Sequence, residues 1–200
     1  MPVWKFRNTS IIYPTFNLLD GVLTVRGLSL DELSGVSRVL DPYQVPGMDQ
    51  VARRLAQAAA HQERVLIFGD YDCDGICSTL IMTQFLERCG ALVEFHLPSR
   101  QDEGYGIRPA HVERAAKEGF DLIVTVDNGI TAFQAVETAQ NLGIDLVITD
   151  HHEPQDKIPE VPLVDPKLPG ALCYKEFSGA GIAYLTICAV AQLLHRPEPE

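Results

Sequence analysis

From Pro46 onward the apolar residues fall into two alternating rhythms. Residues 48–61 carry Val51, Leu55 and Ala58 or Ala59 on one side and Arg53 and Arg54 on the other, the spacing of a helix buried along one stripe. Residues 65–68, Val-Leu-Ile-Phe, are a short unbroken apolar run, as a strand covered on both faces would be. The pair of signals then recurs. The pattern predicts a helix over 76–88 closed by Gly90 and a strand over 92–97. A helix follows between Pro109 and Gly119, then a strand over 122–126. A helix over 131–142 closed by Gly143 leads to a strand over 146–148, and a last helix runs from about 180 to 195, opening at Ser178-Gly179-Ala180-Gly181. Strands alternating with helices of this length predict an α/β fold, a doubly wound and mostly parallel sheet with helices on both faces.

Outside that pattern the reading is thinner. Residues 11–13 and 22–25 have the look of short strands, and Ser29-Leu30-Asp31-Glu32 of a helix start. The expected organisation is therefore an N-terminal extension over 1–45, one catalytic α/β domain over 46–195, and a tail over 196–200.

Composition narrows the chemistry. A formal net charge of −11 over 200 residues argues against a chain that grips nucleic acid by being basic; a polyanionic substrate would need metal ions or a local cationic patch. The five cysteines, Cys73, Cys77, Cys89, Cys173 and Cys188, include no C-x-x-C pair and read as reduced thiols. The start lacks a signal peptide's apolar stretch, and the longest apolar segment, 182–194, is too short to span a bilayer, so a cytoplasmic protein without membrane contact is expected. Without a secretory signal, the sequon Asn8-Thr9-Ser10 carries no weight.

The strand ends are where the chain becomes unusual. In an open parallel sheet, ligands bind at the carboxyl ends of the strands. The first predicted strand runs into Gly69-Asp70-Tyr71-Asp72-Cys73-Asp74-Gly75, the third into Asp127-Asn128-Gly129, and the fourth into Asp150-His151-His152. Any one of these could be a turn or a helix cap. Together they bring acids and imidazoles to one edge, and crowded like charges in a partly buried crevice are costly unless a divalent cation neutralises them. Carboxylate and imidazole donors without thiolate suit Mn²⁺ or Mg²⁺, and two such ions roughly 3.5–4 Å apart would clamp a phosphodiester and activate water for in-line attack.

These segments, with LDPYQVPGMDQVARRL from Leu40, EGYGI from Glu103 and SGAGIAY from Ser178, resemble the DHH phosphoesterases, specifically the RecJ-like single-strand-specific exonucleases, over most of the chain from about residue 40 to 194. The resemblance implies a phosphodiesterase with two divalent cations, Mn²⁺ or Mg²⁺. Asp72 and Asp127 would hold one ion, Asp74, Asp127 and His151 the other, with Asp127 bridging and Asp70 a further acid of the set. His152 would stand at the scissile phosphate as contact or proton donor, and Asp150 would orient the histidines. Arg100 and Tyr105 would face substrate. Ser178, Gly179 and Gly181 offer backbone N–H groups at a helix start, which suits a terminal phosphate, although a plain helix cap looks the same.

The implied activity is hydrolysis of single-stranded DNA from the 5′ end, in repair and recombination. Two alternatives stay open: a phosphodiesterase of short oligonucleotides or cyclic dinucleotides, and a non-catalytic module that binds a replication or repair partner. The sequence departs from the family in one respect. No GT-x-A-D segment, which completes the second metal site in RecJ-like enzymes, follows the SGAG helix, and Asp165 comes too early to be that ligand. The catalytic domain is thus expected to be incomplete at its C-terminal end, to be weak or inactive alone, and to need a C-terminal half or a partner protein.

Overall fold

A computed structural model of the protein describes residues 40–99, 104–171, 175–197 and 199. The expected strands over 11–13 and 22–25, the helix start over 29–32, Arg100 and Cys173 lie outside the described residues. After a 3-10 turn at Pro42–Gln44, the elements alternate: α1 Met48–His61, β1 Arg64–Phe68, α2 Cys73–Cys89, β2 Leu92–His96, α3 Pro109–Glu118, β3 Leu122–Val126, α4 Phe133–Leu142, β4 Asp145–Thr149, β5 Leu163–Val164 and α5 Gly179–Leu193. All pairings are parallel, in the order β2-β1-β3-β4-β5.

Side-chain alternation along the strands builds two apolar layers. Val65, Ile67, Leu122, Val124, Val126 and Val147 face α1, α2 and α5, where Leu55, Met82 and Ile182 are fully buried. Phe68, Ile123, Leu146 and Ile148 face α3 and α4, against Val112, Ala115, Val136 and Ala139. Every residue of β3 is buried, as expected of a central strand covered on both sides. Burying each large side chain stabilises the fold by about 1.5–3 kcal/mol.

This winding positions the site. From β1 the chain moves outward to β2 through α2 on one face; from β3 it moves the other way to β4 through α4 on the opposite face. The switch point lies between the carboxyl ends of β1 and β3, where a crevice opens.

Several boundaries differ from expectation, each for a local reason. Helix α2 begins at Cys73 rather than 76, because the Asp72 side chain caps it by accepting from Gly75 N at 2.9 Å. Helix α4 begins at Phe133 rather than 131, because Gly129 to Ala132 close a turn through Ala132 N to Gly129 O. Helix α5 ends at Leu193, two residues short of 195. The two-residue β5, hidden among prolines, has no counterpart in the apolar pattern; Leu163 and Val164 pair with Ile148 and Thr149. Among the described residues no helix is long and apolar enough to cross a membrane.

Candidate metal centre at the carboxyl edge of the sheet

Asp70, Asp127 and Asp150 each lie one or two residues beyond a strand, at 4%, 2% and 0% exposure, where charged side chains stay only with strong local support. Asp150 has that support. One oxygen accepts from His151 N, His152 N and the ring Nδ1 of His152 at 2.7 Å, and the other from Ile130 N. Burial alone would push its carboxyl up, but these donors outweigh it and hold it below the usual range. An ionised Asp150 fixes the proton of His152 on Nδ1, which leaves Nε2 as the working nitrogen and raises the pKa of the ring.

Asp127 has less support. Its Oδ1 is buried and 2.9 Å from His151 Nε2, outside hydrogen-bond alignment and with no other partner. Desolvation pushes the Asp127 carboxyl up, only partly countered by His151, and Asp127 in turn raises the His151 ring. The Asp70 carboxyl is likewise raised by desolvation and bonded to Tyr71 N. Asp127 also takes a left-handed backbone, φ 61°, rare outside glycine and tolerated best by Asp and Asn. Its neighbour Asn128, fully buried, donates from Nδ2 to Phe68 O and Val126 O, tying the end of β1 to that of β3 across the switch point.

Two groups of donor atoms result. Atoms of Asp70, Asp72 and Asp127 lie within 4.8 Å of one another, as do atoms of Asp127, His151 and His152. That is close to the roughly 4 Å span across an octahedral ion with bonds near 2.1 Å. With the orphaned Asp127 oxygen and the raised Asp70 and Asp127 carboxyls, it meets the requirements of hard divalent cations sharing Asp127.

Asp74, expected as a ligand of the second ion, is also engaged by backbone N–H groups. It lies in the first turn of α2, 3.7 Å from His151 Nε2, but its oxygens accept from Gly179 N at 2.6 Å and Ala180 N at 2.8 Å. The amide of Gly181 is capped by Ser178 Oγ. The α5 N–H groups expected to await a phosphate are engaged in this structure, those of Gly179 and Ala180 by Asp74 and that of Gly181 by the Ser178 cap. A carboxylate oxygen with two lone pairs can accept an N–H and still face a cation. Gly179 permits this approach, since a Cβ there would lie 2.4 Å from Asp127 Oδ1; at Gly75 one would lie 2.6 Å from Asp70 Cβ.

Tyr105 is half exposed, with its hydroxyl 3.4 Å from His152 Nδ1 and its ring edge-on to the imidazole. Burial pushes its phenol up, so it is a neutral donor at the rim. Asp165, which the sequence places in a turn, is fully buried one position past β5, bonded to Lys167 N, with Oδ2 unpartnered. Its position past a strand end is the signal, and β5 is too short to show it.

Residues 64–199 match the family model described as "DHH family, N-terminal domain". The chain is 43% identical over 146 residues to the single-stranded-DNA-specific exonuclease RecJ of Bacillus subtilis (strain 168), covering 72% of this chain and 19% of that protein. A crystal structure of exonuclease RecJ bound to manganese superposes with TM-score 0.74 at 34% identity, covering 81% of this chain and 41% of that one. RecJ of Thermus thermophilus in complex with Mn²⁺ also gives TM-score 0.74, at 30% identity, covering 88% and 25%. The chain thus spans between a fifth and two fifths of these relatives.

Proposed function

The chain belongs to the DHH family, whose N-terminal domain it matches over residues 64–199, and from that premise we propose that it supplies the metal-holding wall of an exonuclease that hydrolyses single-stranded DNA from the 5′ end, in cytoplasmic DNA repair and recombination. The observation that carries the reading is the convergence of Asp70, Asp72, Asp127, His151 and His152 donor atoms around a shared Asp127. Manganese or magnesium is the cation these donors favour. It supplies charge neutralisation at the phosphate and a lowered pKa for the attacking water. Asp72 and Asp70 hold one side, His151 the other, and Asp74 stays behind them on the α5 amides.

The remaining steps fall to the chain's own groups. His152, raised by Asp150 and bonded to it through Nδ1, presents Nε2 toward the phosphate, where its protonated form hydrogen-bonds an oxygen or protonates the leaving group. Tyr105 adds a neutral hydroxyl and a ring edge suited to a nucleotide at the rim. Arg100 is proposed as a phosphate clamp. The acidic chain binds DNA weakly by itself, so the cationic channel is assigned to a further domain or a repair partner, in keeping with the small share of its relatives that the chain spans.

Calorimetric titration with Mn²⁺ tests the reading. Wild-type protein is expected to bind and Asp127→Ala to lose binding, with 5′-labelled single-stranded oligonucleotide degraded only by the former when the rest of the relatives' length is supplied. Equal Mn²⁺ affinity in both proteins would end it.

A further inference from the structure

The outward face of α2 carries chemistry that the acid cluster does not use. Cys73 and Cys77 are both exposed and stand four residues apart on this helix, the spacing at which side chains lie one above the other with Cβ atoms about 5–6 Å apart. The Cys77 thiol is pushed up by desolvation first, then by its neighbour Cys73 and by Asp74. A disulfide needs Cβ atoms about 3.5–4.5 Å apart, closer than a regular helix turn brings them, so oxidation does not readily consume the pair. Ile76 and Leu80, 47% and 55% exposed, lie on the same stripe.

We propose that Cys73 and Cys77 form a second metal site, a bis-thiolate site for a soft divalent cation of the zinc and cadmium class. Soft thiolates select such ions, whereas Mn²⁺ and Mg²⁺ prefer the hard donors of the acid cluster. Binding converts two thiols and one cation into a neutral bis-thiolate complex, releases two protons to solvent, and leaves the other coordination positions to water.

Cadmium titration of the full chain, followed by sulfur-to-metal charge-transfer absorbance in the ultraviolet, reads the site directly. A one-to-one thiolate band is expected in wild type, with affinity at least about 100-fold weaker in Cys73→Ser and in Cys77→Ser. The proposal is overturned if either single variant binds cadmium as tightly as wild type, or if the Cys73→Ser/Cys77→Ser double variant keeps the band. Asp127→Ala protein, expected to keep the cadmium band while losing Mn²⁺, separates failure of one reading from failure of the other.

Discussion

Asp165 gives the sharpest test of how this edge of the sheet is held. Its carboxyl is fully buried, and desolvation raises it to about 7, with Asp150 adding to the shift and the Lys167 amide only partly offsetting it. In the unfolded chain the same group titrates near 3.9. Between those values the folded protein keeps a proton that the unfolded chain has lost, so stability falls as pH rises through the window and the loss is complete above about 7. At about 1.4 kcal/mol per pH unit, the upper limit of that loss is roughly 4 kcal/mol, of which about 2.5 kcal/mol falls between pH 5 and pH 8. Asp165→Asn keeps an acceptor for Lys167 N and carries no charge at any pH. Urea unfolding in chelator should therefore show the variant gaining on wild type by roughly 2.5 kcal/mol from pH 5 to pH 8. A wild-type-minus-variant difference that stays flat over that range would refute the reasoning, because it would mean that the native structure hydrates or pairs the carboxylate.

Three further outcomes follow from contacts at the site and in the core. Gly179→Ala places a methyl 2.4 Å from Asp127 Oδ1 and should weaken Mn²⁺ binding by about tenfold or more in calorimetry. Gly181→Ala, whose methyl meets the Phe177 side chain at 3.2 Å and Ser178 Oγ at 3.5 Å but no acid of the cluster, should leave binding unchanged. In Asp150→Asn the His152 ring loses its ionised partner, and its pKa, followed by NMR in metal-free protein, should fall toward about 6.5. The stability that this pair contributes in wild type is present below that value and lost as pH rises through the raised folded pKa, a slope the variant should lack. Leu55→Ala empties a fully buried position between α1 and the sheet and should cost about 2–5 kcal/mol in unfolding free energy while sparing Mn²⁺ affinity.

What the sequence makes legible is local. A strand boundary shows as the end of an apolar run, and in a parallel sheet every such end falls on the same edge, so the apolar pattern alone places Asp70, Asp127 and Asp150 together. The Asp72 cap is local as well, three residues from its donor, yet the apolar period starts the helix only at 76, because the capped first turn carries no apolar side chain to mark it. Bonds across long stretches of chain leave no such trace. Asp74 accepts from amides 105 and 106 residues away, and nothing near either partner announces the other. A free helix N-terminus attracts any anion, so the SGAG segment fits a phosphate and a carboxylate equally well until the fold brings one of them there. Strand β5 escapes because two residues carry no period, and Asp165 escapes with it.

Several restrictive features meet at Asp127. Its left-handed backbone, its buried and unaligned oxygen, the missing side chain at Gly179 and the Asn128 tie from β3 to β1 all act on one carboxylate. Each is unfavourable or restrictive when taken alone: a strained residue costs of order 1 kcal/mol, and a buried acceptor without a partner about 1–3 kcal/mol. The arrangement becomes favourable only when positive charge enters between the clusters, because the same desolvation that raises Asp127 and Asp70 strengthens their attraction for a cation. The neighbouring His151 supplies a fraction of that charge when protonated, and its raised ring shows the direction of the field. A divalent ion supplies it in full, and this asymmetry makes the carboxyl edge of the sheet a metal centre rather than a group of helix caps.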